Sequence, residues 1–196
     1  MPEESSIYQD NQQKLKNILF FGDSLTAGYG LPSHQAFPSL IQQKINSEQL
    51  SYHVINAGLS GETSAGGKNR IAGCLNQLID VFVLELGIND ILRGITVAET
   101  RNNLQFIIDV VKSKQPNIKM VLLGMELPPF LTGNILMEFR IIFRQLAEKN
   151  NAAFVPFLLH GVAGNRLLNL ADGVHPNAKG YEIISENVWQ VVRKLL

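Results

Sequence analysis

Short apolar segments that stop at glycine alternate with amphipathic segments along this chain, and that alternation restricts the fold more than any other feature. Residues 17–21 (N-I-L-F-F) stop at Gly22, residues 52–56 at Ala57-Gly58, and residues 80–86 (D-V-F-V-L-E-L) at Gly87. Segments 118–124 and 153–156 complete the strand candidates. Helices are expected over 37–45, 64–78, 97–113, 134–149 and 177–196. Leu104, Ile107, Ile108 and Val111 recur at helical spacing, as do Leu136, Phe139, Phe143 and Leu146, and Ile184, Val188, Val191 and Leu195. Each set gives its helix one apolar stripe to lay on a sheet. Strands that alternate with helices imply parallel strands joined by right-handed crossovers, and uninterrupted apolar strands suit a sheet buried on both faces. The expectation is one three-layer α/β/α domain over residues 16–196, preceded by a polar, mobile tail over 1–15.

Charge narrows the function classes. Lys plus Arg number 17 and Asp plus Glu number 17, so the chain has no net charge with which to hold a polyanion. With no basic run either, neither nucleic acid nor an anionic membrane surface is an expected partner. The single cysteine, Cys74, leaves no partner for an internal disulfide and reads as a small buried hydrophobe on a helix. No cysteine–histidine spacing resembles a zinc site, and no metal or organic cofactor is expected. The polar N-terminus does not read as a signal peptide, and no segment approaches the ~20 apolar residues of a membrane-spanning helix. These features suggest a cytoplasmic protein, or a periplasmic or secreted one if a leader has been removed.

In an open parallel sheet, ligands bind outside the carboxyl ends of the strands. Gly22-Asp23-Ser24-Leu25 follows the first strand, Asn56-Ala57-Gly58 and then Gly61 the second, and Gly87-Ile88-Asn89-Asp90 the third. Taken singly, Ser24 could be a helix cap, Gly61 a turn glycine and Asn89-Asp90 a cap for the next helix. Together they bring small polar groups and backbone N–H donors to one edge. A base is the remaining ingredient. Of the four histidines, His53 falls within a strand, and His34 and His160 lie in loops with no acidic neighbour. His175 differs, because it ends Asp172-Gly173-Val174-His175, followed by Pro176. An Asp three residues before a His can fold back onto ring Nδ1, fixing the tautomer and stabilising an imidazolium. Gly173 permits the turn, and Pro176 is expected to open the last helix.

These residues resemble the GDSL, or SGNH, hydrolases, and most of all their bacterial acyl-thioesterase, arylesterase and lysophospholipase branch. Four blocks carry the resemblance in order: 21–30 (F-G-D-S-L-T-A-G-Y-G), 56–63 (N-A-G-L-S-G-E-T), 85–90 (E-L-G-I-N-D) with Leu92-Arg93-Gly94, and 172–177 (D-G-V-H-P-N). The resemblance implies a flavodoxin-like fold with five parallel strands in the order 2-1-3-4-5. It implies Ser24 as nucleophile, Asp172 and His175 as the rest of a triad, and an oxyanion hole from Ser24, Gly61 and Asn89. In that order the fifth strand lies about 14 Å from the first, at ~4.8 Å per strand. Residues 157–171 are long enough to carry Asp172 and His175 back across it.

The implied reaction is hydrolysis of carboxylic esters or thioesters, including acyl esters, lysophospholipids and acyl-CoA-type substrates, through an acyl-enzyme. The expected partner is a small acyl substrate, lipid included. Leu59, Ile88, Ile91, Leu92, Phe130 and Leu131 are candidates for lining an acyl groove, with Ile88 standing where close relatives often have Gly. Residues 128–133 (P-P-F-L-T-G) are a candidate flap. Asp23 is expected to anchor the nucleophile turn and Asp90 its own loop, while Glu62 and Arg93 are candidates for supporting the site's residues or its rim, or are merely solvated. A carbohydrate acetylesterase on the same scaffold, and a lipid-binding protein with a vestigial site, are the alternatives.

Overall fold

The computed structural model describes residues 15–126 and 134–196. Within them, five parallel strands form one sheet in the order β2-β1-β3-β4-β5: β1 Lys16–Gly22, β2 Tyr52–Gly58, β3 Val81–Glu85, β4 Lys119–Leu123 and β5 Ala153–Val155. This is the expected class and strand order. Central β1 is buried on both faces. Phe20 meets Phe37 edge-on at 5.5 Å, and Phe21 lies 5.9 Å from Phe82 of β3. Each such aromatic, removed from water, contributes roughly 1.5–3 kcal/mol, which is why the strands carry unbroken apolar runs. The tail expected over 1–15 lies, but for Leu15, outside the described residues.

Among the described residues, seven α-helices alternate with the strands: α1 Ser24–Ala27, α2 Phe37–Ser47, α3 Ser64–Cys74, α4 Ile88–Leu92, α5 Val97–Lys114, α6 Asn134–Asn150 and α7 Ala178–Val192. Helix α2 packs on α7, while α3, α5 and α6 pack side by side. Thr96 caps α5 by accepting from Glu99 N at 3.1 Å, and Leu104, Ile107, Ile108 and Val111 are its buried stripe. On α6, Phe139, Phe143 and Leu146 are buried as expected; the side chain of Leu136 lies outside the described residues.

Most boundaries move by a residue or two at most, and three departures from expectation stand out. Helix α3 stops at Cys74 rather than 78, and side chains of Asn17 and Gln115 take the carbonyls of Leu78 and Gln77. Pro176 does not open α7. It forms an isolated antiparallel bridge with Asn169, and Asn177 is the cap, accepting from Gly180 N at 3.1 Å. Helix α7 gives way to a 3-10 turn at Arg193; Val192 is buried, while Val191 and Leu195, expected to face inward, are only half-buried. Cys74, expected to be buried, is half-buried and accepts from Arg70 Nη1 at 3.5 Å.

Candidate active site

β1 delivers Ser24 to the sheet edge through a tight turn. Asp23 caps α1, its Oδ1 accepting from Leu25 N at 3.0 Å, so the helix cap is Asp23 and the Ser24 side chain is left to other work. Gly22 is required here because a Cβ would lie 2.5 Å from Glu85 Oε2 and 2.2 Å from Thr26 Oγ1. Ser24 itself is 9% exposed. At the far end of the chain, Asp172 to His175 forms a turn closed by Gly173 N to Leu170 O at 2.9 Å and Leu170 N to His175 O at 2.7 Å. Asp172 Oδ1 accepts the backbone N–H groups of Val174 and His175 at 2.9 and 3.0 Å.

That turn brings the imidazole to the serine. His175 Nε2 is 3.0 Å from Ser24 Oγ, and Nδ1 is 2.7 Å from Asp172 Oδ2. With the ring proton on Nδ1, directed at Asp172, Nε2 accepts from the Ser24 hydroxyl. The backbone N–H groups of His175 and Val174, and then the His175 ring, hold the Asp172 carboxyl down at about 2. Tyr29 lies against the other side of the imidazole, ring centroids 4.5 Å apart. Nothing in the sequence marks this contact beyond an aromatic five residues after Ser24.

The other two strand ends are joined to this one by Asn89. Its Nδ2 donates to Asp23 Oδ2 at 2.9 Å and to the Glu62 carbonyl at 3.1 Å, tying α4 to the nucleophile turn and to the Gly61-Glu62 turn. The Leu59 N–H donates to Gly22 O at 2.9 Å, closing the same junction from below. Gly61 has φ +78°, a conformation that glycine adopts at no steric cost. Among the described residues, the Ser24 and Gly61 N–H groups have no hydrogen-bond acceptor. Two backbone donors are therefore open at this edge. Both Nδ2 hydrogens of Asn89 already have acceptors, so an oxygen arriving there must share or replace one of them.

Several supporting groups were left open, misjudged or missed from sequence. Of the readings of Glu62, the supporting one holds: it is buried and paired with Arg70, Nε to Oε1 at 2.6 Å. Arg70 also donates to Ala57 O at 2.7 Å and stacks 3.9 Å over the Phe21 ring. Asp90 supports α3 more than its own loop, accepting from Ser64 N at 2.8 Å, from Ser64 Oγ and from Thr100 Oγ1. Glu85, read as part of an apolar strand, puts a carboxyl beneath Ser24. Its Oε2 accepts from Asp23 N and Thr26 Oγ1 at 3.1 and 2.9 Å, while its Oε1 is buried without a partner among the described residues. Burial and the nearby Asp23 hold Glu85 well above the usual carboxylate range, and burial pushes Asp23 up to about 6.

Of the groove candidates, Leu59 and Leu92 are 54% and 60% exposed, while Ile88 and Ile91 are half-buried against the core. Phe130 and Leu131, with the flap over 128–133, lie outside the described residues. Arg93 is exposed at the rim. Among the described residues, no group of three or more His, Cys, Asp or Glu side chains is placed to hold a metal ion, and no helix is long and apolar enough to cross a membrane.

Comparison with known proteins points the same way as the geometry. A family model described as "GDSL-like Lipase/Acylhydrolase family" matches residues 20–183. The chain is 36% identical to "Esterase TesA" of Pseudomonas aeruginosa over 186 residues, covering 94% of this chain and 92% of that one. It is 33% identical to "Thioesterase 1/protease 1/lysophospholipase L1" of Escherichia coli strain K12, covering 86% of this chain and 79% of the relative. Among solved structures, "Crystal Structure of TesA" superposes with a TM-score of 0.88 at 35% identity, covering 92% of this chain and all, 100%, of that chain.

Proposed function

The chain belongs to the GDSL-like lipase/acylhydrolase family, and from that premise we propose that it cleaves carboxylic esters and thioesters of acyl chains, lysophospholipids among them, through an acyl-enzyme on Ser24. The observation that carries this reading is the unbroken chain from Ser24 Oγ to His175 Nε2 and from His175 Nδ1 to Asp172 Oδ2. A serine hydroxyl is a weak nucleophile until a base removes its proton. His175 Nε2 takes that proton as Oγ bonds to the acyl carbon, and Asp172, ionised and aligned, stabilises the imidazolium. The carbonyl oxygen becomes an oxyanion facing the open N–H groups of Ser24 and Gly61, with the Asn89 amide as third donor. His175 then returns the proton to the departing alcohol or thiol as its bond to carbon breaks. Water repeats the sequence: His175 takes its proton, its oxygen attacks the acyl carbon, and Ser24 recovers its hydrogen as the acid leaves.

Longer acyl chains rather than acetyl are supported by the exposed Leu59, Leu92 and Tyr29, carried on the segments that follow the strand ends at this site. The test is a series of p-nitrophenyl esters from acetyl to dodecanoyl, with matched acyl thioesters, against wild type and Ser24→Ala. The expected result is a rising kcat/KM into medium chains that vanishes in Ser24→Ala. A strict preference for acetyl removes the groove and leaves the carbohydrate acetylesterase.

A further inference from the structure

We infer that Arg93 is the specificity residue of this site, a receptor for a phosphate group carried by the acyl substrate outside the scissile bond. The inference rests on the ester-hydrolase reading above and narrows it to a substrate class. Arg93 Nη2 lies 3.2 Å from the point where a Cβ on Gly61 would sit, so the guanidinium overhangs a proposed oxyanion donor. Its backbone is fixed: the Arg93 N–H donates to Asn89 O and Asp90 O at 3.2 and 3.1 Å, and Ile95 N closes onto Asp90 O at 2.9 Å. The side chain is not: among the described residues it has no ion pair and no hydrogen bond.

The acids on the turns and loops of this site are each already engaged. Glu62 holds Arg70, Asp90 holds Ser64, and Asp172 holds His175. A cation with no partner among the described residues, on a chain with equal numbers of acidic and basic residues, is a local feature rather than part of a basic surface. The guanidinium fork matches two phosphate oxygens at once, which an ammonium does not. Leu92 precedes Arg93 in the chain and Leu59 lies just before Gly61, both exposed, so the same rim offers apolar surface next to positive charge. That pairing suits an amphiphile with an anionic head. Two sources share the chemistry: the phosphodiester of a lysophospholipid and the phosphates of an acyl-CoA.

The experiment compares wild type, Arg93→Ala and Arg93→Lys on matched acyl chains in three forms: monoacylglycerol, lysophosphatidylglycerol and acyl-CoA. The readout is the ratio of kcat/KM for each phosphate-bearing substrate to that for monoacylglycerol. For an exposed charged contact, Arg93→Ala should lower the ratio by roughly three- to tenfold, chiefly through KM, and Arg93→Lys should recover part of it. The difference should shrink as salt screens the contact. A fall for lysophosphatidylglycerol alone, or acyl-CoA alone, supports the inference and identifies the source. Ratios unchanged for both, or wild type cleaving only monoacylglycerol, overturns it while leaving the esterase reading intact. If wild type cleaves no ester or thioester at all, the functional reading itself fails.

Discussion

Replacing Asn89 by alanine separates the tie that the structure shows from the oxyanion role proposed for the same amide. As a donor to the oxyanion, it should be worth ~3 kcal/mol of barrier, or about a hundredfold or more in kcat. As a tie, it joins Asp23 Oδ2 at 2.9 Å to the Glu62 carbonyl at 3.1 Å, and Asp23 is fully buried. Its removal strips the Asp23 carboxyl of one partner and leaves it Leu25 N and the Glu85 side chain, which should cost about 1–3 kcal/mol of stability. For a chain of this size, that lowers Tm by a few degrees, at ~2–4 °C per kcal/mol. The assay is therefore kcat on a medium-chain p-nitrophenyl ester at a temperature well below the melting point of both proteins, with Tm measured alongside. A kcat at least about a hundredfold down in a folded protein supports the oxyanion role. A kcat within about threefold of wild type, with the Tm loss present, would leave Asn89 as a structural tie only and remove it from the hole.

The remaining predictions follow from the same contacts. Asp172→Asn reverses the polarity of the bond to His175 Nδ1 and should cut kcat by about 10³–10⁴-fold with the fold retained; a loss under tenfold contradicts the triad. Because the folded Asp172 carboxyl is held at about 2, its contribution to stability is complete above the ordinary carboxylate range and is lost only as pH falls through it to about 2. Loss of activity on mild acidification in wild type therefore should not track Asp172, which a carboxyl signal followed by NMR titration checks. Glu85 behaves in the opposite sense, since its folded form is raised. It stays neutral in the fold while the unfolded chain ionises, so stability falls as pH rises above the usual Glu range, by at most ~1.4 kcal/mol per pH unit for one proton. Glu85→Gln should reduce that slope, leaving the share of the buried Asp23, and gain on wild type between mildly acidic and neutral pH in urea melts; parallel curves contradict it. Tyr29→Ala should reduce kcat several-fold by freeing the His175 ring, and Tyr29→Phe should restore it; equal loss in both points to the hydroxyl instead.

How much of this could be read in the sequence depends on how local each signal is. The turn at Gly173 and the reach of Asp172 onto His175 are encoded within a few residues and are found as expected, whereas the strand order was legible only through the family resemblance. Asp23 as an anchor was equally legible, because Asp before a short helix caps it. Long-range pairings were not. Glu62 and Arg70 are eight residues apart but on different elements, and only the fold turns a polar loop residue into a buried ion pair. Glu85 hides in an apolar strand because Asp23, Thr26 and Gly22, which give it a place, come from β1 and α1 some sixty residues earlier. The overrun of α3 and the misplacement of Pro176 have the same origin: side chains of Asn17 and Gln115, and the bridge from Asn169, act from elsewhere in the chain.

Covalent capture tests the assignment of Ser24 most directly. A fluorophosphonate probe added to the folded protein, followed by peptide mass mapping, should modify Ser24 alone, at a rate that drops sharply in Asp172→Asn, and should leave Ser24→Ala unlabelled. Labelling at another residue, or none in an intact protein, would show that the hydroxyl 3.0 Å from His175 Nε2 is not an activated nucleophile.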